Sequence, residues 1–270
     1  MKNKILLSDS RKKYLKNIRK RKFIILFAQL ALLIGFILIW EISANLGYID
    51  SFITSKPTRI AETFMNLTSN DLLKHIGVTA YETVIGFLVG TFLGTIIAII
   101  LWWSDYLSDI FEPYLVVLNS LPKVALGPII IIWVGAGTPA IIVMAIAISL
   151  IVTILENLNG FLKTDKELIK MAKTFNSTKF QILNKIIIPA YLGTFFNSLN
   201  VYIGLSLVGV KSGEFLVSKA GLGYLIVYGG QVFKLDLVMT SVLILGILAG
   251  VMYGVVLIFE KVLSKTKLKV

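Results

Sequence analysis

A chain of 270 residues that is 56% apolar exceeds the roughly 45–50% apolar share of soluble domains, and a mean hydropathy of +0.84 makes a bilayer the expected solvent. With no cysteine and one histidine it has no disulfide, no thiolate metal site and no cysteine nucleophile. The net charge of +12 does not indicate nucleic acid, because the basic residues sit between apolar runs instead of on one soluble face.

Residues 1–22 hold ten Lys/Arg and lead into the first apolar run, 23–40. A signal peptide also begins this way. Here the run is too long for an h-region and no small-x-small site follows, so a basic tail and an uncleaved membrane anchor are expected. Residues 41–75 form a polar connection in which "SKPTRIAETFMNL" predicts a short surface helix. Further apolar runs lie at 76–103, 113–134, 139–155, 189–210 and 237–259. About 18 apolar residues cross roughly 30 Å of hydrocarbon as a helix, which gives six transmembrane helices, five of them in a core over 76–259. The third run is the least regular, since Pro122 and Lys123 interrupt it. It either crosses fully or begins as an interfacial helix.

Basic residues remain on the cytoplasmic side of a membrane. Ten lie in 1–22, six in 156–188 and four in the second basic tail, 260–270, against three in 41–75 and three in 211–236. Both termini are therefore expected to be cytoplasmic. The turn 104–112 carries acids and no base, and acids count little in this rule.

Gly86, Gly90 and Gly94 recur every fourth position in the second span, as do Gly246, Gly250 and Gly254 in the sixth. Such faces let helices approach closely in lipid. Static packing of the two stripes against each other is the simpler expectation, and a surface that slides during transport is the other.

Charges inside spans cost roughly 2.5–3.5 kcal/mol at a helix centre on insertion scales, which makes each a candidate pathway residue. Lys123 lies between Pro122 and Gly127-Pro128, where a broken helix would expose backbone groups and attract an anion; snorkelling to the near interface is the alternative. Glu82 is expected to be interfacial or paired, and Glu156 to cap the end of the fourth span. His75 is expected to be solvated or a cap. Tyr224, Tyr228, Trp102 and Trp103 fit interfacial anchoring better than ligand contact. Glu214, preceded by Lys211, is placed just beyond the fifth span as a gate, vestibule or helix-end ion-pair residue.

The loop 157–189 is too polar for the bilayer yet strongly patterned. Thr164-Asp165-Lys166-Glu167 reads as a capping box opening a helix. Leu168, Ala172 and Phe175 then give one apolar stripe, with Lys166, Lys170 and Lys173 elsewhere on the surface. Asn176 ends the helix in the left-handed position. A second box, Thr178 to Gln181, opens another helix that Pro189 stops or kinks.

The stretch "DKELIKMAKTFNSTKFQILNKIIIP" resembles the EAA loop of ABC importer permeases. Aligned on Pro189, the motif's glutamate falls on Lys170, its alanines on Met171 and Ala172, and its glycine on Asn176. Two signature positions therefore depart: the lost glutamate leaves any ion pair there in doubt, whereas asparagine can make the same turn. "LPKVALGPIIIIWVGAGT" is similar to the proline-rich third-span segment of the nitrate, sulfonate and taurine branch. "VGVKSGEFLVSKAGLGYLI" resembles that branch's E-F and G-L-G-Y segment, here Glu214, Phe215 and Gly221 to Tyr224, with Gly223 between.

The resemblance implies an all-α, type I ABC importer permease of the bacterial inner membrane. Its coupling helix, with Asp165, Glu167, Leu168, Lys170, Met171, Ala172, Phe175, Asn176 and the following Pro189, would dock into a cytoplasmic ABC ATPase. The pathway or gate candidates are Pro122, Lys123, Gly127, Pro128, Glu214, Gly221 and Gly223. A second permease chain, most simply in a homodimer, and an extracytoplasmic substrate-binding protein landing on 41–75 and 211–236 are the other expected partners. No G-x-x-x-x-G-K-[ST] loop is present, so ATP and Mg belong to the ATPase, and no catalytic residue, cofactor or metal is expected on this chain. An ion-gradient-driven transporter would need more intramembrane carboxylates as ion ligands. A membrane hydrolase lacks a plausible acid-base set, and a passive scaffold is the remaining reading.

Overall fold

A computed structural model describes residues 9–68 and 71–267. The ends of the two basic tails, 1–8 and 268–270, lie outside these. The described residues form helices and turns without a strand, and they divide into two compact units at Thr63 and Phe64.

In the first unit, α1 (Asp9–Asn45) is one helix of 37 residues. It starts well before the apolar run, because the Lys/Arg-rich stretch contains neither Gly nor Pro to break it. Glu41 organises its end, accepting from Asn45 Nδ2 at 3.1 Å, Thr58 N at 3.1 Å and Thr58 Oγ1 at 3.0 Å. The short helix α2 (Ser51–Thr54) is capped by Asp50. The stretch quoted from 41–75 forms the helix α3 (Pro57–Thr68), which runs across the unit boundary. Proline is well suited to open it, having no N–H to leave unpaired.

The second unit contains α4 (Leu72–Trp103), α5 (Asp105–Ser120), a 3₁₀ turn (Lys123–Leu126), α6 (Gly127–Val134) and α7 (Thr138–Leu162). These are followed by α8 (Lys166–Thr174), α9 (Lys179–Ile182), a π-helical turn (Leu183–Ile187), α10 (Ile188–Val217), α11 (Leu222–Gln231) and α12 (Leu235–Lys267). Among the described residues of both units, five stretches, α1 included, are long and apolar enough to cross a membrane, and a sixth exists if α5 and the helix after it count as one span bent by 91°. The third run is thus not a straight helix. Pro122 has no N–H and forces Leu121 into an extended conformation (φ −69°, ψ 144°), which ends α5.

α4, α7 and α10 make the core. Gly86, Gly90 and Gly94 face Ala145, Ser149 and Thr153 of α7, which share their four-residue spacing. A Cβ at Gly86 would lie 2.5 Å from Ala145 Cβ, one at Gly90 2.5 Å from Ser149 Oγ, and one at Gly94 2.6 Å from Thr153 Cγ2. From α10, Gly209 adds a site where a Cβ would come 2.5 Å from Ala145 Cα. The expectation that the two glycine stripes meet is therefore corrected. Among the described residues nothing lies within 4 Å of a Cβ built at Gly246, Gly250 or Gly254.

Buried polar groups join the same helices. Asn157 donates to Thr95 Oγ1 at 2.9 Å and accepts from Tyr191 and Tyr202 hydroxyls at 2.9 and 3.1 Å. Such pairing removes the cost of burying the amide.

Of the two expectations for Pro189, a stop or a kink, the stop is excluded, because the helical course continues through it. It sits in the first turn of α10, and the π turn before it, with Ile188 N bonded to Leu183 O, absorbs the steric demand of the ring. α9, the π turn and α10 thus run on as one helical path, Lys179–Val217.

Candidate functional site

Two structured regions lie at opposite ends of α10, whose 30 residues span about 45 Å at 1.5 Å per residue.

At its first end is α8. The predicted capping box does not form around Thr164; Asp165, one residue later, is the cap, accepting from Glu167 N at 2.8 Å. Its carboxylate reaches the second amide of the helix without help from the Glu167 side chain. At the other end of α8, Asn176 has φ 56°, with Asn176 N bonded to Lys173 O at 3.0 Å and Ser177 N to Ala172 O at 3.1 Å. That is a Schellman turn, made by asparagine in place of glycine. The Thr178 and Gln181 box opens α9 as predicted, with both reciprocal bonds present.

The stripe on α8 splits in two. Ala172 is buried with Leu158, Phe161, Ile182, Leu183 and Ile187, placing the helix against α7, α9 and the π turn that leads into α10. Leu168, Met171 and Phe175 remain open, Phe175 at 77% exposure. Met171 therefore replaces Ala172 on the outward apolar face, and Lys170 is exposed beside it. Lys179 Nζ donates to Trp103 O at 3.1 Å, tying the loop to the end of α4.

At the far end of α10, the helix continues to Val217, so Lys211 and Glu214 lie inside it and not beyond it. Glu214 is 1% exposed. Its Oε1 accepts from Thr79 Oγ1 at 2.6 Å and its Oε2 from Gly223 N at 2.5 Å. Thr79 Oγ1 in turn accepts from Leu222 N at 2.8 Å, and His75 Nδ1 accepts from Gly221 N at 3.0 Å. His75 stacks on Tyr224, with ring centroids 6.0 Å apart, and acts as a cap on another helix's start. Gly221 has φ 113°, a region that disfavours any side chain, and a Cβ there would strike the Glu214 carboxyl; one at Gly223 would lie 2.6 Å from Glu214 Oε2.

Glu82 is fully buried within the helices, makes no geometrically satisfactory hydrogen bond through either oxygen, and lies in the electrostatic reach of Glu214.

The remaining candidates lie elsewhere. Lys123 Nζ donates to Asn119 Oδ1 at 2.9 Å across the break after α5. Gly127 is closely packed, a Cβ there coming 2.6 Å from Leu216 Cδ1, and Pro128 occupies the first turn of α6. Glu156 lines a polar cavity of about 550 Å³ between α7 and α10, together with Lys163, Tyr191, Thr194 and Ser198. No cluster of metal-ligating side chains occurs among the described residues.

Thr79 was missed by sequence reasoning. Its signal was there: His75, Thr79, Glu82 and Thr83 precede Gly86 at helical spacing, a polar continuation of the glycine face.

Residues 90–269 match the family described as the binding-protein-dependent transport system inner membrane component. The chain belongs to that family. A probable ABC transporter permease of Haemophilus influenzae is 31% identical over 216 residues, 79% of this chain and 87% of the relative. The putative aliphatic sulfonates transport permease SsuC of Bacillus subtilis is 26% identical, over 85% of this chain and 83% of its own length. The inward-facing methionine ABC transporter MetNI shares the fold with a TM-score of 0.63 at 17% identity, over 71% of this chain and 95% of that one. This permease is thus an all-helical, multi-pass membrane protein of the type I ABC importer fold.

Proposed function

We propose that this permease is the transmembrane subunit of an ATP-driven importer, moved by a cytoplasmic ABC ATPase that docks on the open face of α8. The observation that carries this reading is the division of α8 into two faces. Ala172 is anchored in the core while Leu168, Met171 and Phe175 are left without cover, so a push on α8 passes to α7 and α10. Asp165 and Glu167 define the start of the coupling helix, Lys170 flanks its contact face, Asn176 sets the turn to α9, and Pro189 with its π turn joins the loop to α10.

The basic tails and the loop 156–188 then face the cytoplasm of a bacterial inner membrane, in keeping with their charge. Two ATPase subunits imply two permease chains, most simply a homodimer. The segments 41–75 and 211–236 face an extracytoplasmic binding protein, which delivers a small solute of the nitrate, sulfonate, taurine or vitamin-precursor class. Gly221, Gly223 and Glu214 shape the entrance, and Pro122, Lys123, Gly127 and Pro128 shape the broken segment beside the pathway. ATP and Mg are held by the ATPase.

Vesicles containing the permease and its ATPase are expected to take up binding-protein-delivered solute only with ATP. Uptake by the permease alone on an ion gradient would overturn the reading in favour of a secondary transporter.

A further inference from the structure

The first three amides at the start of α11 point away from their own helix and need acceptors, as at any helix N-terminus. Here side chains of other helices supply them. Gly221 N is taken by His75, Leu222 N by Thr79 and Gly223 N by Glu214, that is, by two residues of α4 and one of α10. Thr79 holds the arrangement together, since its hydroxyl accepts from Leu222 N while donating to Glu214 Oε1. Thr79, Leu222 and Glu214 are almost completely buried, so an amide released from this knot has no solvent to turn to, which raises the cost of opening it. Glycine at 221 and 223 lets the backbone come onto the carboxyl.

We infer that Thr79, with His75 and Glu214, is a positioning residue that locks the turn 218–223 to α4 and α10, so that α11 moves with these helices when α10 moves. The inference rests on the importer reading: one end of α10 is joined to α8, and this knot is at the other. Displacement of the coupling helix is thereby delivered as displacement of α11, on the face where the binding protein lands. Packing alone would hold α11 in place; the three directed bonds also fix how it is turned.

The test uses the full permease in lipid nanodiscs, with its ATPase and its binding protein purified with bound ligand. Thr79→Val removes the bridging hydroxyl at nearly constant volume, and Thr79→Ser keeps it. With Thr79→Val, which removes both bonds of the hydroxyl, hydrogen exchange of the peptides covering 221–223 is expected to accelerate about tenfold, the size expected when the Leu222 amide loses its buried acceptor. The binding-protein concentration giving half-maximal ATPase stimulation is expected to rise to a similar extent, with basal ATPase within about twofold of wild type. Thr79→Ser should restore both. Unchanged exchange and stimulation, equal impairment by Val and Ser, or a parallel fall of basal and stimulated rates would each overturn the inference. Should Thr79→Val not assemble, His75→Ala at the rim should show the same pattern in smaller measure, and wild-type behaviour there would overturn it. A wild-type complex that the binding protein does not stimulate would instead count against the importer reading.

Discussion

The glycine face of α4 and the glycine face of α12 have the same four-residue spacing and differ in what lies against them. Gly86, Gly90 and Gly94 are closed by Ala145, Ser149 and Thr153, and no Cβ fits at any of the three. At Gly246, Gly250 and Gly254 the space within 4 Å is open among the described residues. Spacing alone therefore reports that a close approach is possible, and the partner's side chains decide whether it occurs. On α7 the partner stripe is itself made of small residues at matching intervals, and its hydroxyls are satisfied within their own helix, Ser149 on Ala145 O and Thr153 on Ser149 O, both at 2.9 Å. Two faces without large side chains can then meet with no polar group stranded.

The contrast is open to direct attack. Gly90→Leu should have the largest effect, since its Cβ alone already collides with Ser149; overpacking of this kind costs about 1–3 kcal/mol or more, and loss of monodisperse protein on size-exclusion chromatography is expected. Gly209→Ala comes next. Its Cβ meets the Ala145 backbone and not a movable side chain, so a clear fall in thermal midpoint is expected. Gly250→Leu should be nearly silent, within about 0.5 kcal/mol, as for substitutions at open positions. A loss at Gly250 as great as at Gly90 would mean that another chain covers the α12 stripe.

Much of the molecule was legible in the sequence because it obeys local rules. The apolar runs, the Thr178 and Gln181 box and the left-handed Asn176 each depend on residues within one turn of one another. What escaped depends on long-range partners. Asp165 displaces Thr164 as the cap by its reach, a choice between neighbours that the capping pattern does not rank. Ala172 and Met171 exchange roles because the base of α10 lies on one side of α8. The knot around Glu214 joins residues 75, 79 and 214; the polar spacing from His75 to Gly86 marks the face on which Thr79 lies, but its partners are defined only when α4, α10 and α11 are brought together. At Pro189 the sequence leaves a stop and a kink both open, because proline costs a hydrogen bond in a helix; the π turn before it is the local change of winding that carries the helix past the ring.

The open face of α8 is the centre of the account, and Phe175 is its most exposed aromatic. The most direct measurement is the affinity of the purified ATPase for wild-type permease and for Phe175→Asp in nanodiscs. A fall of about thirtyfold or more is expected, corresponding to about 2 kcal/mol at a central interface aromatic, with the fold and thermal midpoint of the permease unchanged because Phe175 lies outside the core. Equal affinity for the two proteins would contradict docking on α8.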